Sequence, residues 1–339
     1  MSRESLDTLF YPFNSGALYP PGSDQRVLFL GAEQGFRLRE DFAARWSLVQ
    51  GFRPSFRALQ NAGCEVSPIS KEENYDAALV LCGRHRGENE LRIADAIART
   101  RSGGLIVVAG GKDDGIASVR KRMADLVAVD GHLPKYHGIV FWFPRPDDGD
   151  AIAQTLRDGA KANLVDGRFR TAPGMFSHDR VDAGSKLLAE NLPDQLSGRV
   201  ADFCAGWGYL ASEIAERFPK VTALDLYEAD FASLEAAKAN LAGIQSPPLR
   251  FLWHDLAGEP VTERYDAIVM NPPFHTGRRA EPELGQVIIK TAVKALKPGG
   301  RLYLVANRQL PYEKMLAGSV SEFSEIAGDR AFKVFAARR

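Results

Sequence analysis

Short apolar runs of four to six residues alternate along the whole chain with longer segments whose apolar positions recur at helical spacing. This pattern predicts α/β layers on a mostly parallel sheet. In the first half, Tyr75-Asp76-Ala77-Ala78-Leu79-Val80 predicts a strand, a helix follows over 90–100, and Ser102-Gly103-Gly104 turns into the strand 105–109. The second half repeats that order with a strand over 265–270, a helix over about 283–296, Pro298-Gly299-Gly300, and a strand over 301–306. Matching elements in one order at similar spacing predict a duplicated fold. Two prolines and an acidic cluster in Pro144-Arg145-Pro146-Asp147-Asp148-Gly149-Asp150 have the chemistry of a linker. The domains are therefore expected at 1–147 and 148–339, with 150–171 a helix or arm entering the second.

The halves differ in their polar residues. The second carries Val200-Ala201-Asp202-Phe203-Cys204-Ala205-Gly206-Trp207-Gly208, and the first carries Val27-Leu28-Phe29-Leu30-Gly31-Ala32-Glu33-Gln34-Gly35. In that register Phe29 stands for Asp202 and Glu33 for Gly206. Likewise Leu81-Cys82-Gly83-Arg84 stands for Asn271-Pro272-Pro273-Phe274. The first half keeps the scaffold and lacks the polar site.

A strand ending in Asp-x-x-x-Gly-x-Gly ahead of a helix over 210–218 lets backbone N–H groups approach a ligand closely. With Ala211 in the third position the loop also fits the dinucleotide pattern, so by itself it leaves a nicotinamide dehydrogenase open. The strand 221–225 ends in Asp225, where an acid can accept both hydroxyls of a ribose. After the strand 249–253 comes Asp255, an acid able to take the amino group of an adenine. Either acid could instead cap a helix or turn. Asn271-Pro272-Pro273-Phe274 follows the buried strand 266–270. Two prolines neither continue a strand nor donate hydrogen bonds, so the chain is locked in an extended turn that fixes the Asn271 side chain and nearby carbonyls beside an aromatic face. A planar amine conjugated to a base or an amide fits there, its hydrogens on the Asn271 side-chain oxygen and the Pro272 carbonyl, its ring on Phe274.

Composition narrows the class. The 339 residues suffice for about two domains of ~150 residues, and 45% hydrophobic with 25% charged residues excludes disorder as the main state. No run approaches the ~18 apolar residues of a membrane span, and the opening residues lack the basic and apolar regions of a secretory signal. A cytoplasmic protein with no membrane partner is expected. Cys64, Cys82 and Cys204 are too few and scattered for a disulfide framework or a zinc quartet and read as reduced core thiols, with no metal expected. Charge is balanced at 43 basic and 43 acidic residues, which excludes bulk electrostatic attachment to nucleic acid and leaves only a local site. Nine basic against five acidic residues fall in 84–122, among them Arg84, Arg86, Arg99, Arg101 and the run Arg120-Lys121-Arg122. That stretch is either a solvated helix face or a phosphate-docking surface.

Taken in order, Asp202, Gly206, Gly208, Asp225, Asp255 and Asn271 to Phe274 resemble the class I S-adenosylmethionine methyltransferases that act on planar nitrogens. The duplication, the lead segment from Pro173 through Phe176, Ser177 and Asp182 to Leu188, and Asn-Pro-Pro-Phe-His narrow the resemblance to the bacterial ribosomal RNA guanine-N2 methyltransferases of the RsmC and RlmG type. The resemblance implies two tandem Rossmann-like class I methyltransferase domains, the N-terminal one degenerate. It implies that S-adenosyl-L-methionine is the cofactor, with Gly206 and Gly208 at its methionine part, Asp202 supporting that loop, Asp225 on the ribose and Asp255 on the adenine. Phe176, Ser177 and the turn from Asp182 to Ser185 would cover it. Asn271 and Pro272 would position the guanine amine beside the cofactor, Phe274 would stack on the base, and His275 would line the pocket unless it is a plain loop histidine. The implied reaction is direct methyl transfer to the exocyclic N2 amine of a guanine in ribosomal RNA, expected in the small subunit, by a monomer whose first domain docks RNA through Arg120, Lys121 and Arg122. A protein glutamine-N5 methyltransferase uses the same Asn-Pro-Pro arrangement on an amide and stays open. So does a noncatalytic RNA-binding ribosome assembly factor that retains S-adenosylmethionine.

Overall fold

The computed structural model describes residues 3–36, 41–161, 164–273, 275–276, 279–280 and 282–339. The chain divides into two units, Met1–Ala162 with Ala172–Gly174, and Asn163–Thr171 with Met175–Arg339. The first holds α1 (Arg3–Asn14), β1 (Arg26–Leu30), β2 (Arg45–Val49), α2 (Arg53–Asn61), β3 (Val66–Ser67), β4 (Tyr75–Leu81), α3 (Arg86–Arg99), β5 (Thr100–Gly111), α4 (Ile116–Ala124), β6 (Gly131–Lys135), β7 (Gly138–Pro144) and α5 (Gly149–Gly159). The second holds α6 (Ala183–Glu190), β8 (Gly198–Phe203), α7 (Tyr209–Arg217), β9 (Val221–Glu228), α8 (Phe231–Asn240), β10 (Leu249–Trp253), β11 (Tyr265–Met270), β12 (His275–Thr276), β13 (Arg279–Ala280), α9 (Pro282–Ala295), β14 (Leu296–Asn307), α10 (Tyr312–Ala317), β15 (Glu322–Gly328) and β16 (Phe332–Arg338).

Each unit is built on a seven-stranded sheet, ordered β3-β2-β1-β4-β5-β7-β6 in one and β10-β9-β8-β11-β14-β16-β15 in the other. The two orders are the same, with parallel strands closed at one edge by an antiparallel hairpin. The expected α/β class of two tandem Rossmann-like domains is what forms. The central strands read as nearly continuous apolar runs because helices cover both faces of each sheet. In β4 every residue except Asp76 is buried, and in β11 every residue except Asp266.

The duplication extends to single bonds. Asp76 Oδ2 accepts from the Arg26 backbone N–H at 2.8 Å, and in the second unit Asp266 Oδ2 accepts from Arg199 N–H at 2.8 Å. The pairing of Val27 with Ala77 and of Val200 with Ala267 fixes the correspondence between the halves. Phe29 then falls on Asp202 and Leu81 on Asn271. The two Gly-Gly pairs lie inside long strands rather than between a helix and a strand. Register shifts between Tyr75 and Ala77 and between Tyr265 and Ala267 mark a bulge in each unit, and Gly103 (φ 70°) and Gly299 (φ 76°) take the left-handed backbone it needs.

The boundary lies later than the prolines suggest. Helix α5 buries Ile152, Ala153 and Leu156 in the same core as Ile93 and Ile97 of α3, so residues 148–161 belong to the first unit. Apolar burial decides this over linker composition, since three core side chains outweigh the turn preference of the segment before them. The opposite face of the first sheet is filled by aromatic rings. Phe29 is fully buried, with Phe10 at 5.9 Å and Phe36 at 5.8 Å between ring centroids.

Candidate active site

At the carboxyl end of β8 the chain takes left-handed backbone at Cys204 (φ 62°), Gly206 (φ 54°) and Gly208 (φ 93°), then enters α7. A Cβ built on Gly206 meets nothing within 4 Å, whereas one on Gly208 would stand 3.2 Å from Ala237 Cβ and Leu241 Cδ1. Gly206 thus faces open space and Gly208 permits tight packing. That space is a pocket lined on one side by Cys204, Ala205, Gly206, Trp207, Tyr209 and Leu210, and on the other by Phe176, Ser177, Asp182, Ser185 and Asn271. Trp207 Nε1 donates to the Phe176 carbonyl at 2.9 Å, tying the lead segment to the glycine loop. Ser177 is left-handed at φ 50°, and Phe176 is 53% exposed.

Asn271, just beyond β11, reaches the same pocket. Its Nδ2 donates to Asp182 Oδ2 at 3.0 Å and to Ser185 Oγ at 2.8 Å. Asp182 is also the N-cap of α6, its Oδ2 accepting from Ser185 N–H at 2.8 Å. A carboxylate can only accept, so it requires the amide nitrogen on its own side. The group Asn271 offers elsewhere is its carboxamide oxygen. Asp182-x-x-Ser185 is legible as a cap, but its partnership with a residue 86 to 89 positions away is not.

The four acids of the site differ in environment. Asp202 is fully buried in β8, and among the described residues neither oxygen has a hydrogen-bond partner of good geometry. Burial holds its carboxyl well above the usual range, opposed by the nearby Ala211 N–H and reinforced by the charge of Glu228. Asp225, read as the end of a strand, sits inside β9, which runs on to Glu228. It is fully buried and accepts from Arg250 Nη2 at 2.7 Å, Arg199 Nη2 at 2.8 Å and Tyr265 Oη at 2.7 Å. Burial would raise its carboxyl, but those bonds outweigh it and hold it below the usual value. A carboxylate enclosed in this way is a structural ion cluster, and the expectation that it meets a ribose is corrected.

The acid at the end of β9 is Glu228. Its Oε2 accepts from Gly206 N–H at 2.7 Å and its Oε1 from Asp230 N–H at 2.8 Å. Burial pushes its carboxyl up to about 7, against the bonds from Asp230 and Gly206. Strand length was the missing signal, since Leu226 and Tyr227 continue the apolar run after Asp225 and are buried. Asp255 Oδ1 accepts from Ala257 N–H and Gly258 N–H, each at 3.0 Å, so this acid caps the turn after β10 while lying at the sheet's carboxyl edge.

In the first unit the corresponding polar side chains bond to one another and to their own loop. Glu33, on the Gly206 position, points its Oε1 at Ser55 Oγ (3.3 Å) and Gln50 Nε2 (3.4 Å). Gln50, on the Glu228 position, also donates to the Ala32 carbonyl at 2.8 Å and accepts from Phe52 N–H at 2.9 Å. An amide thus replaces the acid and is spent on its own loop.

Arg120, Lys121 and Arg122 lie consecutively on α4, about 100° apart around its axis, so they do not share one face. Lys121 is exposed, Arg122 is half-buried, and Arg120 Nε is buried with no hydrogen-bond partner among the described residues. Elsewhere in the basic stretch Arg86, Arg92, Arg99 and Arg101 pair with Glu90, Glu88, Asp95 and Asp76. Phe274 lies outside the described residues. His275 is described only as backbone, in β12 paired with β13. Cys82 is buried and Cys64 and Cys204 half-buried, all three as free thiols. Among the described residues no group of three His, Cys, Asp or Glu side chains could hold a metal ion, and no helix is long and apolar enough to cross a membrane.

Comparison with known proteins gives the following. Residues 166–336 match the model of the methyltransferase small domain family. The ribosomal RNA small subunit methyltransferase C of Salmonella paratyphi B is 29% identical over 324 residues, 91% of either chain. The protein of the same name from Salmonella newport is 30% identical over 283 residues, 80% of this chain and 78% of its own. Among solved structures, the T. thermophilus 16S rRNA N2 methyltransferase RsmC, in complex with AdoMet and guanosine, superposes with a TM-score of 0.77 at 23% identity, over 99% of this chain and 91% of that one.

Proposed function

Because this chain belongs to the methyltransferase small domain family, and within it to the ribosomal RNA small subunit methyltransferases C, we propose that it methylates the exocyclic N2 amine of a guanine in small-subunit ribosomal RNA, using S-adenosylmethionine. The observation that carries this reading is the anchored amide of Asn271. With its Nδ2 bound by Asp182 and Ser185, its carboxamide oxygen is directed to serve as an acceptor.

The residues fit the cofactor. Open space at Gly206, a glycine turn entering α7 and two acids at strand ends suit a nucleoside joined to an amino acid. When bound, S-adenosylmethionine supplies an electrophilic methyl group on a positively charged sulfur. In this reading Gly206 and Gly208, underlaid by Asp202, receive its methionine part, Glu228 its ribose hydroxyls and Asp255 its adenine, while Phe176 and Ser177 cover it.

Asn271 acts on the other reactant. A guanine amine is a weak nucleophile because its lone pair is delocalised into the ring. The Asn271 oxygen and the Pro272 carbonyl accept its hydrogens and favour the pyramidal, developing-ammonium geometry, which stabilises the transition state over the ground state. Phe274 and His275, next in the chain, are assigned to stacking on the base and lining its pocket. Holding the amine in place supplies up to ~7–11 kcal/mol of the barrier through orientation. The base leaves its stack to enter, at a cost of a few kcal/mol. A strong general base is unnecessary once the methylated nitrogen is cationic. The first unit, which lacks the counterparts of Asp202, Gly206 and Glu228, is assigned to docking RNA through Arg120, Lys121 and Arg122. The protein is assigned to the cytoplasm as a monomer working on ribosomal RNA or a ribosomal subunit.

The test is transfer of labelled methyl from S-adenosylmethionine to small and large subunits and their naked RNAs from unmodified cells, followed by nucleoside digestion and mass spectrometry. The expected product is N2-methylguanosine in small-subunit RNA. No labelled RNA while cofactor binding is intact would overturn the reading.

A further inference from the structure

The hairpin joining β6 to β7 turns through two residues, since Lys135 pairs directly with Gly138. Both turn residues, Tyr136 (φ 47°) and His137 (φ 55°), are left-handed. This is the primed hairpin turn, which selects Asn-Gly or Gly-Gly because bulky side chains are strained there. The fold does not demand the strain. The matching hairpin of the second unit, β15 to β16, turns through Asp329-Arg330-Ala331, whose backbone stays out of the left-handed region, and Asp329 Oδ1 accepts from Ala331 and Phe332 N–H at 2.7 Å each.

What the strained turn does is present chemistry. Tyr136 is 45% exposed, with its ring edge-on to Tyr11 at 5.8 Å. Lys135 Nζ stands 5.4 Å from the Tyr11 ring centre and 5.6 Å from that of Tyr136. The Lys112 N–H donates to the His137 carbonyl at 2.9 Å, which brings an exposed lysine to the same tip. Of the two acids that follow Lys112, Asp114 is engaged by Arg84 at 3.5 Å and Asp113 is exposed. The tip lies at the carboxyl end of β5, the edge where open α/β sheets meet ligands. An exposed ring beside one ammonium group, with an exposed lysine and histidine on the same tip, suits a stacked base between phosphates.

We propose that the Tyr136-His137 tip, with Lys135 and Lys112, is a docking point for single-stranded RNA, Tyr136 stacking on a base and the lysines contacting phosphates. This rests on the RNA reading above and adds a contact surface separate from Arg120 to Arg122. Strained backbone retained on an exposed tip is a sign of function over stability.

The test uses the full chain and a fluorescein-labelled single-stranded oligoribonucleotide, with S-adenosylmethionine affinity and thermal midpoint measured alongside. The paired substitution Tyr136→Asn with His137→Gly relieves strain at two residues, which exceeds the loss of the half-exposed ring's two contacts, with Tyr11 and Lys135. It is expected to raise the midpoint while weakening RNA binding at least ~5-fold, the lower end for loss of one stacked base. Tyr136→Phe should keep binding near wild type. Lys112→Glu with Lys135→Glu should flatten the salt dependence by about one phosphate contact per lysine. A destabilised Tyr136→Asn, His137→Gly variant, or one that binds RNA as wild type does while wild type methylates, overturns the tip's role alone. Wild-type protein that neither binds nor methylates RNA overturns both readings.

Discussion

Glu228 and Asp225 are three residues apart in one strand and have opposite surroundings. Asp225, held ionised by Arg250, Arg199 and Tyr265, is a stability group. Asp225→Ala leaves the buried Tyr265 hydroxyl unmatched and frees two partly exposed guanidinium groups, and should cost about 1–3 kcal/mol in unfolding, with cofactor affinity measured calorimetrically little changed. Glu228 behaves inversely. Its carboxyl, raised to about 7 from 4.5, prefers its proton in the free protein, so its stabilising contribution is present in acid and fades as pH rises through about 7. A ribose hydroxyl donates best to the ionised form, so cofactor binding releases a proton. Affinity should fall about tenfold between about pH 8 and about pH 6, and Glu228→Gln should bind weakly at every pH. A flat wild-type profile would count against Glu228 as the ribose acid. For Asn271 the informative change is its support. Ser185→Ala removes one of two bonds that orient the amide and should lower kcat by about ten- to a hundredfold while cofactor dissociation changes far less, whereas a packing role would move both together.

At the level of elements, α5 shows what composition misses. Pro144 and Pro146 do interrupt the chain, yet the helix after them packs back on the first unit because Ile152, Ala153 and Leu156 form its buried stripe. Leu156→Ala should cost about 2–5 kcal/mol, read as a lower unfolding midpoint, with cofactor affinity unaltered. In the structure Asp182 caps α6, and the same carboxylate is used a second time on Asn271. The Gly-Gly pairs were visible as breaks, and only the sheet register turns them into bulges within β5 and β14.

For the whole molecule, duplication followed by divergence separates a cofactor-binding unit from one whose matching loop side chains are engaged with each other. Glu33 and Gln50 occupy the first unit's loop and Phe29 its core, so equilibrium dialysis should find one S-adenosylmethionine per chain. Two per chain would return the first unit to cofactor binding. Reversing the charges of Arg120, Lys121 and Arg122 should weaken RNA binding and reduce its salt dependence without altering cofactor affinity. The loss should be smaller than three phosphate contacts, because the three side chains diverge around α4 and Arg120 is partly sunk.

The sequence alone determined the α/β class, the tandem repeat, the register that sets Phe29 against Asp202, and the Asn271-Pro272-Pro273 turn. These follow from periodicity and from backbone chemistry, which act over neighbouring residues. Only the tertiary structure decided that β9 runs on to Glu228, that Asp225 is enclosed by two arginines and a tyrosine, that α5 belongs to the first unit, and that Asp182 and Ser185 orient Asn271. Each of these depends on partners tens of residues apart in the chain, and a carboxylate's role is set by which donors surround it once the sheet has formed.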